Sequence, residues 1–457
     1  MSGLRTFSAI FLAFNLVGCG KSFKNDADLA SGNVKVQIIA PGSIVENATS
    51  SLPYSFADVE LLSIFDLVSI SGQYARFHIK ASRNENNVIG PKPRGQFLRN
   101  KEGVFIPKNF LTLQATTLYF HSQNMMLLER SLKLDSKRTA PLKIVLETPV
   151  LNTKQNENNA FYDGDLDAII FLKYSEGNLP LSLNGGVFAH EYFHSIFERI
   201  VLKTLKTNEL FKIPTPINKI TMTKTLADVT KINLSSKASE LRTRMVSGPI
   251  TLSQENVKWY YALLLKGFNE GLADYWGWNY VNDVSFISHS LPQTRTSRKL
   301  DLSSQKLDSL QLLSEAEMLS IIYQVTDSTS EKLELINAFS YLLGSRIALF
   351  FKSYSETIQH ERSLSTEETH KLVNQTILDF IHSLATTLPQ VTLAADHTQL
   401  TSPYTLMYQF FSATELKTAN ECQFMKNFFE TDSQKKNSLS CIADQNKIFK
   451  LTPTGAQ

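Results

Sequence analysis

The segment Val187-Phe188-Ala189-His190-Glu191-Tyr192-Phe193-His194 places two histidines four residues apart in an amphipathic run that Gly185-Gly186 opens and that reaches about Leu205. Residues at i and i+4 share a face only in a helix, so a helix here lets both imidazoles reach one Zn²⁺. Glu191 lies beside that face, where a carboxylate can take a proton from a metal-bound water. A catalytic zinc needs a third protein ligand and keeps one position open. Asn269-Glu270-Gly271-Leu272-Ala273-Asp274-Tyr275 offers it, because Glu270 and Asp274 again stand at i and i+4. Glu270 can coordinate the ion while Asp274 accepts a hydrogen bond from a ligand imidazole and fixes its tautomer.

His190-Glu191-Tyr192-Phe193-His194 taken with Asn269-Glu270-Gly271-Leu272-Ala273-Asp274 resembles the gluzincin metallopeptidases, in particular the thermolysin and fungalysin families. These families pair an H-E-x-x-H helix with a later N-E-x-x-x-D helix. The resemblance implies one Zn²⁺ held by His190, His194 and Glu270, Glu191 as general base, and Asp274 and Asn269 as partners of the histidines. Asn158-Asn159-Ala160-Phe161-Tyr162-Asp163-Gly164 is similar to the families' edge strand beside the cleft, which implies that Asn159 and Ala160 contact an extended peptide by β-augmentation. The families also stabilise the oxyanion with a tyrosine and a histidine. Tyr261 is the tyrosine the resemblance suggests, with Tyr260 beside it, and His289, His360 and His370 are the histidines available. The resemblance covers roughly residues 113–280. His194 and Glu270 are 76 positions apart (270 − 194), more than in compact family members, and this implies a helical insertion at about 201–252.

The three cysteines divide by position. Cys19 follows a short basic start and an apolar run from Thr6 to Val17 that is too short to span a bilayer and fits a signal sequence. Leu16-Val17-Gly18-Cys19 resembles the lipobox of bacterial lipoproteins. It implies a signal peptide over 1–18 and a lipid anchor on Cys19 in the bacterial cell envelope, with Gly20 directing the protein to the outer membrane, facing the periplasm or the exterior. An exported compartment is oxidising, so Cys422 and Cys441, 19 positions apart (441 − 422), can form a disulfide; two buried free thiols are the alternative.

At 457 residues, two or three compact units are expected. Forty-six Lys and Arg against 43 Asp and Glu leave a net charge of +3, which excludes the basic footprint of a nucleic-acid binder. Alternation in Val34–Ile39 and Tyr74–Lys80 predicts strands, Leu113–Leu134 a helix, and Leu142–Leu146 and Ala168–Leu172 further strands. Ser314-Glu315-Ala316-Glu317 and Ser365-Thr366-Glu367-Glu368 are capping boxes that open apolar periodic runs.

The expected architecture is α+β. A flexible tether at 19–32 leads to a β-rich accessory domain or prosegment at 33–112. A thermolysin-like zincin unit with a mixed sheet and active-site helices follows at 113–283, and a helical unit at 284–457. Asp163-Gly164-Asp165-Leu166-Asp167 begins like a calcium loop but has Ala168 and Tyr174 where the glycine and glutamate belong. Glu198 is expected to face solvent. The function expected is a membrane-anchored zinc endopeptidase acting on a peptide or protein substrate through a Glu191-activated, zinc-bound water. The alternative is a zinc-binding envelope scaffold with a degenerate peptidase fold.

Overall fold

A computed structural model describes residues 25–453, apart from 28–29, 45–52, 81, 85–86, 135–140, 149–157, 176–177, 209–210, 212–252, 295–297, 299, 302–310, 324–328, 395–399, 431–438 and 444–447. The expected signal peptide, Cys19 and most of the insertion expected at 201–252 lie outside the described residues. Helix and strand are both well represented, as an α+β chain requires.

Alternation turns Val34, Val36 and Ile38 inward and leaves Lys35 exposed, giving β1 (Gly32–Pro41). It pairs antiparallel with β2 (Tyr54–Asp66). With β3 (Ser71–Gly72), β7 (Phe97–Arg99) and β8 (Phe105–Pro107) these form a sheet of order β3-β2-β1-β8-β7. Residues expected to belong to the tether are docked on it: Asn25 exchanges hydrogen bonds with Gly95 and Phe97, and Ala27 is buried.

A second, mixed sheet has the order β10-β11-β9-β4, from β4 (Ala75–Ile79), β9 (Leu142–Thr148), β10 (Ala160–Asp163) and β11 (Ala168–Leu172). The pairs β4–β9 and β9–β11 are parallel, and β10–β11 is antiparallel. Every residue of β11 is buried, which explains why an uninterrupted apolar run reads as a strand there. A small hairpin, β5 (Ser82–Asn84) with β6 (Asn87–Ile89), follows β4. The boundary drawn at residue 112 does not separate two units, because β4 completes the sheet that β9 to β11 build. Helix α1 (Phe110–Ser131) joins the two sheets. Asn109 caps it at the Thr112 amide, and the Tyr119 hydroxyl donates to the Leu62 carbonyl on β2 at 2.8 Å.

The rest is mainly helical. Asn184 Oδ1 accepts from the amides of Gly186 and Val187 and starts α2 (Gly185–Phe197), which runs through a π-helical turn, Glu198–Leu202, into Lys203–Leu205. Ser253 caps α3 (Gln254–Val281), and Asn282 ends it with φ 50°. Then come α4 (Glu315–Tyr323), α5 (Thr329–Arg362), α6 (Thr366–Ala394), α7 (Pro403–Ala413) and α8 (Ala419–Glu430). Both capping boxes form: the Ser314 and Ser365 amides donate to Glu317 and Glu368 at 2.7 and 2.9 Å.

The chain does not stay helical to its end, since β12 (Leu439–Ala443) and β13 (Phe449–Pro453) form a hairpin. Cys422 and Cys441 are disulfide-bonded, Cα atoms 5.9 Å apart, tying α8 to β12. One hydrophobic core extends from Ala27 to Leu451, crossing the boundaries expected at 112 and 283. Among the described residues, no helix is long and apolar enough to cross a membrane.

Candidate metal centre

Helix α2 puts His190 and His194 on one face, with their Nε2 atoms 3.0 Å apart. Helix α3 brings Glu270 to them: its Oε2 lies 3.6 Å from His190 Nε2 and 4.0 Å from His194 Nε2. The residues flanking Glu270 on the same helix reach the outer nitrogens. His190 Nδ1 is 2.9 Å from Asp274 Oδ1, and His194 Nδ1 is 2.8 Å from Asn269 Oδ1. Both Nδ1 atoms thus have an oxygen acceptor, which places their protons there and turns the Nε2 lone pairs toward each other.

A cation fits here: the two Nε2 lone pairs, 3.0 Å apart, repel unless a proton or a metal ion lies between them, and the Glu270 carboxylate faces the same point. Burial opposes charge on His190, but the adjacent Asp274 and Glu270 carboxylates outweigh it and push the imidazole up to about 9. Burial, with the neighbouring His190 charge, pushes His194 down to about 4, so the pair holds one proton and not two. Glu270 is held below the ordinary carboxylate range despite its burial, because both histidines favour its charge. Two imidazole nitrogens and nearby carboxylate oxygens are a donor set that could hold a metal ion.

Glu191 is 7 % exposed, and a carboxylate oxygen of it lies within 4.8 Å of the histidine donor atoms. Its Oε2 accepts the Tyr162 main-chain amide at 3.0 Å. Burial raises its pKa to about 7. Tyr162 belongs to β10, the edge strand of the mixed sheet among the described residues, so the edge lies directly against this carboxylate. Ala160 opens that strand, and its amide is held by the Asn159 side chain at 3.0 Å.

Three other side chains converge here without any motif. Arg298 binds Asp274 through Nε at 3.1 Å and through Nη2, which is also 3.8 Å from Glu270 Oε2. Its guanidinium lies 4.8 Å from the centre of the Tyr341 ring. Tyr341 comes from α5, and the Glu270 charge, aided by burial, holds its hydroxyl well above the ordinary phenol range. Lys266, one turn before Glu270, binds Asn337 and lies 5.8 Å from the same ring.

Tyr261 is not at this centre. It is nine residues before Glu270 on α3, about 13 Å along the axis and half a turn out of phase. Its ring packs on Phe211 and Tyr260 instead, and Tyr260 donates to the Thr401 carbonyl. The three histidines considered for the oxyanion are engaged elsewhere. His289 binds Asp283 at 2.6 Å, His360 is exposed beside Glu361, and His370 packs on Trp278.

Glu198 does not face solvent. It is 7 % exposed, lies over Gly164, and binds Lys206 at 2.8 Å, fixing the end of α2 to the β10–β11 turn. In that turn Asp163 caps the amides of Asp165 and Leu166, and Asp167 accepts the Tyr162 hydroxyl.

Arg298 and Tyr341 left no pattern in the sequence to find them by: Arg298 is one of three basic residues, with Arg295 and Lys299, in a polar segment, and Tyr341 sits in a run whose apolar spacing reads as core. No family model and no curated protein matches this chain, so the reading of the centre rests on its own residues.

Proposed function

We propose that the chain is a zinc-dependent peptidase of the gluzincin kind, hydrolysing peptide bonds in an extended substrate. The observation that carries this reading is the convergence of His190 Nε2, His194 Nε2 and Glu270 Oε2 beside a carboxylate, Glu191, that touches an edge strand. His190, His194 and Glu270 would hold the ion. When bound, zinc polarises a carbonyl oxygen and makes water a better acid at neutral pH.

The chain's own groups do the rest. The outward carbonyls of β10, whose outward amides are taken by Asn159 and Glu191, would line up the peptide backbone, with Asn159 and Ala160 at the start. Glu191 takes the proton of the attacking water and delivers it to the leaving amine, so the carboxylate ends as it began. The Tyr341 hydroxyl, rather than Tyr261, is the donor available to a developing oxyanion. Asp274 and Asn269 hold the imidazole protons on Nδ1, and Arg298 holds Asp274.

Leu16-Val17-Gly18-Cys19 supports a lipid anchor in the bacterial cell envelope, with the catalytic part exported. A second reading, a zinc-holding scaffold in the envelope, is favoured by one observation: His289, His360 and His370 all have partners away from the centre. Metal analysis with a peptidase assay separates the two. The peptidase reading expects about one zinc per chain in wild type and in Glu191→Gln, with turnover at least about 10²-fold lower in the variant. Equal turnover in both proteins would overturn it.

A further inference from the structure

We infer that the main-chain N–H of Tyr162 is a positioning group for Glu191, so the strand edge that would receive a peptide also aims the base. The inference rests on the peptidase reading for its catalytic consequence, but the hydrogen bond itself is testable without it.

The ladder decides which way the amide points. The Asn159 carbonyl accepts the Leu172 amide at 2.9 Å, so Asn159, Phe161 and Asp163 direct their main-chain groups toward β11. Ala160 and Tyr162, in the alternate positions, direct theirs out from the sheet. Each outward N–H meets an acceptor within the chain: Ala160 meets Asn159 Oδ1 at 3.0 Å, and Tyr162 meets Glu191 Oε2 at 3.0 Å.

For Glu191 this contact is the one hydrogen bond found among the described residues. A carboxylate buried to 7 % exposure is costly without a donor. An amide locked in a strand is a better positioning donor than a long side chain, because no rotamer freedom is lost in holding it. With Oε2 engaged, the other oxygen is left for proton transfer, and the carboxylate stays within 4.8 Å of the histidine nitrogens. The Tyr162 side chain has a separate task, since its hydroxyl donates to Asp167 at 2.8 Å.

The two roles can be separated by substitution. Tyr162→Ala removes the ring and keeps the N–H. Tyr162→Pro removes both, and proline is tolerated at an edge position whose N–H lies outside the ladder. In the metal-free full-length protein, the step from Tyr162→Ala to Tyr162→Pro is expected to change the unfolding equilibrium constant about tenfold more with Glu191 present than in a Glu191→Ala background. Glu191→Gln, which keeps an acceptor oxygen, should restore part of that coupling. In the zinc-loaded protein Tyr162→Pro is expected to lower kcat at least about tenfold below Tyr162→Ala, with KM changed less than about threefold.

Additive effects in the metal-free cycle, or equal kcat in the two Tyr162 variants of an active protein, would overturn the inference. If Glu191→Gln is as active as wild type, the peptidase reading fails, and the metal-free cycle alone decides whether the amide holds the carboxylate.

Discussion

Gly344 on α5 and Gly271 on α3 meet backbone to backbone. A Cβ on Gly344 would stand 2.9 Å from the Gly271 nitrogen and 3.1 Å from Glu270 Cβ, and one on Gly271 would stand 2.5 Å from the Gly344 carbonyl oxygen. The contact adjoins Glu270 and lies one turn from Tyr341, so it sets how far the Glu270 carboxylate and the phenol enter the centre.

Gly344→Ala is therefore expected to act against helix propensity. Alanine in an open helical position gains about 1 kcal/mol over glycine. Here the methyl meets backbone that cannot turn aside, and overpacking of this kind costs about 1–3 kcal/mol. The variant should melt below wild type and bind zinc more weakly, read by calorimetry and by competition with a chromophoric chelator. A higher melting temperature with unchanged zinc affinity would show that the helices have room to part.

Asn269 holds His194 by a single contact at 2.8 Å, which makes it the cleaner of the two imidazole partners to remove. Losing such a partner typically costs 10–100-fold in metal affinity. Asn269→Ala is expected to weaken zinc binding by about tenfold, whereas Asn269→Asp, which keeps an oxygen acceptor, should retain most of it. Equal weakening in both variants would mean that the contact does not orient the ring.

What the sequence made legible follows from what each signal depends on. His190, His194, Glu270, Asp274 and Asn269 were readable because i, i+4 spacing is a property of the helix itself, and two helices then need only meet. Ala168–Leu172 was readable because double-sided burial demands an unbroken apolar run. Ala75–Ile79 alternates like any half-buried strand, and nothing local states that its neighbour is β9, some 70 residues later. Tyr261 is close in sequence to Glu270, but on one helix a nine-residue offset selects the opposite face. Arg298 and Tyr341 reach the centre from separate segments through tertiary packing alone. Glu198 looked solvent-facing because a lone carboxylate one turn past His194 carries no sign of the Lys206 that pairs with it.

His121 on α1, whose ring stacks on Phe188, supplies a pH dependence separate from that of the candidate metal ligands. It is fully buried, its Nδ1 lies 2.8 Å from the Tyr280 hydroxyl, and burial pushes its pKa down to about 3. The folded protein keeps this imidazole neutral, while the unfolded chain protonates it below about 6.5. The unfolded state thus binds more protons as pH falls, and stability is lost from about pH 6.5 downward until the folded pKa is reached. From this group alone the loss between pH 8 and pH 5 is about 2 kcal/mol. Urea titrations at the two pH values should show a difference of that size that shrinks in His121→Gln. An unchanged difference in the variant would assign the acid sensitivity to other groups.

Tyr341 and Tyr261 give opposite expectations for one chemical change, removal of a phenolic oxygen. Tyr341→Phe keeps the ring on which Arg298 stacks and deletes the hydroxyl on which the Glu270 and Glu191 charges act. Removing an oxyanion donor costs about 10²–10³ in kcat. The variant is expected to lose turnover on that scale while keeping its zinc, with KM little changed because the donor is used in the transition state. Tyr261→Phe removes a hydroxyl far along α3 and leaves a ring packed on Phe211, so turnover should stay near wild type and only stability should fall. Parallel kinetics and zinc analysis of the two variants decide between the sites. A large loss in Tyr261→Phe with none in Tyr341→Phe would restore the assignment that sequence proximity suggested and would refute the one drawn from the packing of α5 against α3.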